Sequence, residues 1–151
     1  MFYRLKQGII NLIKWFPIIW QDRDWDYHYI YKILHFKLKN MEEFMLGNKC
    51  WSANHKQIAH EIKIAKLLLE RLMKDNYLEN AMYWYDKKFE DRSWDEMFQD
   101  EGNGLKRYIG DPNIERDKSF GKCCKHSDYM EKQDLNYLFK HMRKYIKNWW
   151  D

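Results

Sequence analysis

Apolar positions along residues 22–46, DRDWDYHYIYKILHFKLKNMEEFML, fall in steps of three and four. Tyr27, Ile30, Tyr31, Leu34, Leu38, Met41 and Met45 stack along one face of a 3.6-residue helix, and Tyr29, Ile33, Phe36 and Phe44 form a second stripe. A helix apolar on two sides is expected to be enclosed by neighbours. The pattern therefore predicts a long central helix over about 23–46, capped by Asp22 or Asp24 and closed at Gly47 in the left-handed conformation.

The flanking segments repeat the period. Leu5, Ile9, Leu12, Ile13 and Phe16 predict a first amphipathic helix over 3–16. Phe16 precedes a proline, so this helix is expected to stop near Trp15, with Ile18, Ile19 and Trp20 packing as a wedge. Asn54 and Gln57 resemble a capping box, and Ile58, Ile62, Ala65, Leu68, Leu69 and Leu72 give a third helix to about Lys74, antiparallel to the second. Leu78, Ala81, Met82, Tyr85 and Phe89 support a fourth, and Ser93 to Glu96 opens a short piece to about Gln99. The period then fails. Residues 100–127 contain Gly102, Gly104, Gly110, Gly121 and Pro112, and are expected to be an irregular loop. Ser127 or Asp128 starts a last helix lined by Leu135, Leu138, Phe139, Met142, Tyr145, Ile146 and Trp149, with Trp149 buried.

These elements define an all-α fold, a single-domain bundle of about five helices around the helix at about 23–46, spanning residues 1–151. Length permits a real core, and the scarcity of proline and of β-branched alternation agrees with helix. Aromatic residues, 18% of the chain, exceed what such a core requires, so some rings are expected at the surface.

Charge changes the picture little. The net charge is +4, with 8 basic against 5 acidic residues in 1–50, 11 against 14 in 51–117, and 8 against 4 in 118–151. Basic ends around an acidic middle can steer an anionic partner, but a solvated helical surface gives the same counts. Three cysteines, Cys50, Cys123 and Cys124, point to a reducing cytoplasm. Lys14 and Pro17 interrupt the N-terminal apolar run, which has no small-residue cleavage site after it. No run of eighteen apolar residues occurs, and no membrane partner is expected.

The densest chemistry is Asp22, Arg23, Asp24, Trp25 and Asp26. Three carboxylates invite a divalent cation, yet the turn glycine and distal carboxylate of calcium loops are missing, so helix capping is the better reading. Cys123, Cys124 and His126 with Cys50 lack the spacing of a zinc site, and no metal or cofactor is expected. Hydrolase, nucleotide-triphosphatase, metalloprotease and kinase signatures are absent, which favours a non-enzymatic protein.

The segments WFPIIWQDRDWDYHYIYKIL, AKLLLERLMKDNY and KNWWD together resemble an uncharacterised family of small tailed-bacteriophage proteins. That resemblance implies a phage protein acting in the cytoplasm of an infected bacterium, and it transfers no site residue. Excess Trp and Tyr beside basic groups suggests capture of a nucleotide or a nucleotide-like host signal. Trp20, Trp25, Tyr27, Trp149 and Trp150 would stack on a base, Arg23, Lys144 or Lys147 would meet phosphate, and Asp22, Asp24 or Asp26 would meet ribose. The alternative is a protein-interaction module that inhibits a host factor or forms a homo-oligomer, since Trp, Tyr, Met and Arg are the residues of interface hot spots. Single-stranded nucleic acid ranks below both.

Overall fold

A computed structural model describes residues 2–48, 50–89, 95–102, 104–110 and 114–149. Among these are five α-helices, α1 (Phe2–Ile19), α2 (His28–Leu46), α3 (His55–Lys74), α4 (Tyr77–Lys88) and α5 (Ile114–Tyr145), and one hairpin of β1 (Phe98–Gly102) and β2 (Leu105–Tyr108). The fold is mostly helical, as the periodicity predicts. Contacts group the chain into two compact units, Met1–Met73 with Tyr137–Asp151, and Lys74–Asn136.

In the first unit, α1 runs through Pro17 to Ile19 rather than stopping near Trp15. A proline this close to a helix end forfeits a single backbone bond, and the ladder resumes with the Trp20 amide donating to the Phe16 carbonyl at 2.9 Å. Helix α2 begins five residues later than expected. Turns occupy the residues before it; the N-cap, Tyr27, makes no side-chain bond, and one position earlier Asp26 Oδ1, rather than Asp22 or Asp24, accepts the His28 amide at 3.0 Å. Gly47 is extended, with φ −80°, not left-handed. A Cβ there would lie 3.2 Å from the Glu43 carbonyl oxygen, so close approach accounts for the glycine.

Three contacts fix how α2 and α3 lie together. His35 Nε2 is 2.9 Å from Glu70 Oε1, Lys66 Nζ donates to Glu42 Oε2 at 2.5 Å, and His55 Nδ1 is 2.9 Å from the Met45 carbonyl. Partners descend α3 as they ascend α2, so the two helices are antiparallel. The core is centred on α3, where Ile58, Ala59, Ile62, Ala65, Leu69 and Leu72 are buried. Helix α2 was expected to be the enclosed one, yet only Leu38 and Met45 are buried in it. From the end of α5, His141 Nε2 meets the Glu61 carbonyl at 2.7 Å, while Leu138 and Trp149 complete the core. Phe139 and Ile146, assigned to the same buried face, are exposed.

The second unit corrects the reading of residues 100–127 as an irregular loop. Phe98 faces Tyr108 across the hairpin, their rings 5.6 Å apart, and Gly102 and Gly104 take φ +81° and +76° at its turn, where a side chain would be strained. The short piece expected over 93–99 is a 3-10 turn, Asp95–Met97, that leads into β1; Ser93 lies outside the described residues. Helix α5 starts at Ile114, well before Ser127. Its first turns pack through Phe120 on Tyr85 at 5.8 Å, and the Tyr77 hydroxyl donates to the buried Asp134 at 2.7 Å.

Candidate functional site

The expected site residues divide into two groups. In the first, Asp22 Oδ1 accepts the Arg23 amide at 2.8 Å, and the Arg23 guanidinium returns to the Asp22 carbonyl at 2.7 Å. Asp26 is taken up by His28, whose Nδ1 lies 3.2 Å from the same oxygen that accepts its amide. Tyr27 stacks on His28 at 4.4 Å and meets Tyr31 edge-on at 5.9 Å. Of the two neighbours of Trp25, Asp26 serves the start of α2. Trp25 is 83% exposed, Asp24 is exposed beside it, and Trp20 contacts Phe16 at 5.1 Å. The segment holds its own backbone and leaves two tryptophans in solvent.

The second group is at the end of α5. Lys144 lies 4.8 Å over the Tyr145 ring, and interaction with the Tyr145 hydroxyl holds its ammonium above the ordinary lysine range. Lys147 is exposed and Trp150 lies outside the described residues. Trp149 is 2% exposed, and its Nε1 is buried without a hydrogen-bond acceptor. It borders a half-open cavity of about 270 Å³ whose other walls are Lys37, Asn40, Met41, Phe44 and Met45. The cavity lies along the second half of α2, not at its acidic start. A more polar cleft of about 210 Å³ is lined by Asn54, Gln57, Ile58, Glu61 and Asn148. Neither space includes Trp20, Trp25, Tyr27, Lys144 or Lys147. No described ring contact joins the first group to the second.

The three cysteines are free thiols. Burial raises the pKa of Cys123 above the usual thiol value, with Cys124 and Asp86 adding to the rise. No group of three or more His, Cys, Asp or Glu among the described residues could hold a metal ion.

Another surface feature is one that periodicity revealed but assigned to the core. Helix α1 has no buried residue. Leu5, Ile9, Leu12, Ile13, Phe16, Ile19 and Trp20 form its stripe, and each is 50–73% exposed. Its half-buried residues are Trp15 and Ile18, and Trp15 meets Phe36 of α2 edge-on at 4.8 Å. At about 100° per residue, these two lie about 130° around the helix from the centre of the stripe. The helix is thus held by a flank while its apolar face points away from α2. The expected wedge of Ile18, Ile19 and Trp20 does not form, since Ile19 and Trp20 are among the exposed residues. The charges of α1 are Arg4, Lys6 and Lys14, with no acidic residue.

The class these features define is a mostly helical protein with an uncovered amphipathic helix and no described helix long and apolar enough to cross a membrane. No family model, curated protein or solved structure matches the chain.

Proposed function

We propose that the chain is a protein-interaction module that works through the apolar face of α1. One observation carries this reading: an 18-residue helix has no buried residue while seven large apolar side chains along one stripe remain at least half exposed. Single exposed leucines are ordinary, but a contiguous apolar strip of this length marks a contact surface. On the resemblance to phage proteins, the chain is phage-encoded and acts in the cytoplasm of an infected bacterium, where its partner is a polypeptide. Capture of a nucleotide-like molecule has less support. The cavity beside Trp149 is smaller than most ligand sites and offers one cation, Lys37, and the remaining rings proposed to stack on a base do not line it.

The test is a photo-crosslinking amino acid introduced separately at Ile9, on the stripe, and at Gln7, on the opposite side of the helix, in the full chain expressed in bacteria. Protein crosslinks from position 9 and none from position 7 are expected. Crosslinks to lipid alone, or equal yields from both positions, would refute the reading.

A further inference from the structure

We infer that the partner of the α1 face is a second copy of this chain, joined by a two-fold axis that sets the two α1 helices antiparallel. This rests on the protein-interaction reading and gives it an occupant. A two-fold contact between antiparallel helices places residue i against a residue whose number makes a constant sum with it. With that sum at 25, Leu5 meets Trp20 of the other copy, Ile9 meets Phe16 and Leu12 meets Ile13. All six are exposed members of the stripe, while its seventh, Ile19, falls opposite Lys6. A parallel arrangement would also close the stripe, each residue meeting its own copy, but it sets Arg4 and Lys6 beside their own copies.

Charge supports the same orientation. Helix α1 is wholly basic, with Arg4 and Lys6 in its first turns, and the acidic run Asp22, Asp24 and Asp26 begins directly beyond its other end. Antiparallel packing brings Arg4 and Lys6 of one copy toward the end of α1 of the other, beyond which the acidic residues begin, whereas parallel packing sets like charges together. The area is comparable with what is needed: five aliphatic side chains and two rings, each at least half exposed, offer on the order of 700 Å² per copy, close to the roughly 800 Å² that a standard stable interface buries on each partner.

The experiment is sedimentation velocity on the full chain in detergent-free buffer, with concentrations from 1 to about 100 µM chosen around typical weak-to-moderate affinities. A species of twice the 19.0 kDa chain mass is expected to build up with concentration. Ile9→Glu and Phe16→Lys should each abolish it with unchanged far-UV circular dichroism, because both side chains are exposed in the single chain. Mixing the two variants should restore the dimer, since the antiparallel register sets position 9 of one against position 16 of the other. Mixing Ile9→Glu with Ile9→Lys should not. Rescue by that second mixture alone, or a monomer throughout the range, would overturn the inference. A monomer whose position-9 crosslinker still captures another polypeptide would remove the second copy and leave the interaction module standing. A monomer that instead cosediments with anionic vesicles through Ile9 would remove both.

Discussion

Replacing Trp149 with alanine separates a ring that closes the core from a ring held for a ligand. A buried tryptophan hides about 150–250 Å², worth about 4–6 kcal/mol at about 25 cal/mol per Å². Residual compactness of the unfolded chain trims that to about 3–5 kcal/mol. Two features of the site lower it further. The Nε1 hydrogen is buried without an acceptor, an arrangement that costs about 1–3 kcal/mol and disappears on truncation. The ring also borders a cavity of about 270 Å³, into which neighbours can relax. The expected loss for Trp149→Ala is therefore about 1–3 kcal/mol. That corresponds to roughly 2–12 °C in Tm for a chain of this size. Trp149→Phe keeps most of the apolar ring and removes the unpaired N–H, so it should stay within about 1 kcal/mol of the parent. Urea unfolding followed by far-UV circular dichroism measures both without relying on fluorescence from the chain's eight tryptophans. An alanine variant with the parental midpoint would show that the ring is not core. A phenylalanine variant as unstable as the alanine one would show that the indole N–H does have a partner.

Two further outcomes follow from the second unit. Tyr77→Phe removes a donor to the buried Asp134, which is 1% exposed, and should cost about 1.5–3 kcal/mol by urea unfolding, with a loss below about 0.5 kcal/mol refuting the bond's importance. Glu115 is held below the ordinary carboxylate value by its hydrogen bond and charge interaction with Lys88, 2.7 Å away. Its folded pKa is depressed, so whatever stability the pair gives is present above the unfolded value and is lost as pH falls through the folded one. An NMR titration of the Glu115 carboxyl should show the midpoint rise toward the ordinary value in Lys88→Met, and an unchanged midpoint would dismiss the pairing.

How much of this was legible in the sequence depended on whether apolar residues did the ordering. Helix α3 was legible to its last turn because Ile58, Ile62, Ala65, Leu69 and Leu72 follow one period and all are buried. The first half of α5 was not, because residues 114–127 hold few large apolar side chains, and helix there draws on charged helix formers. The hairpin was hidden for a related reason: its strands are short and fully exposed, so no inside-outside alternation exists to read. Asp134 sits among polar neighbours in the sequence, and the Tyr77 hydroxyl that donates to it lies 57 residues away. At the candidate site, the composition of residues 22–27 was visible but its use was not. The His28 amide donating to Asp26 Oδ1 decides which carboxylate serves the start of α2, and that choice turns on backbone geometry.

Helix α1 sets the limit of such reading in another way. An amphipathic stripe states that an apolar face must be covered, and says nothing of what covers it. In α3 the cover is the chain's own α2 and the end of α5. In α1, Trp15 and Ile18 hold the helix by a flank, and the seven-residue stripe faces out. Turning the helix about 130° would hide the stripe within the chain, but it would swing Trp15 off Phe36 and bring the strip's bulky Phe16 and Trp20 against α2 in place of the smaller Ile18. The stripe's gain from burial is thus available mainly between molecules. A second copy offers the same stripe in return, and its antiparallel orientation keeps the basic start of one α1 away from that of the other.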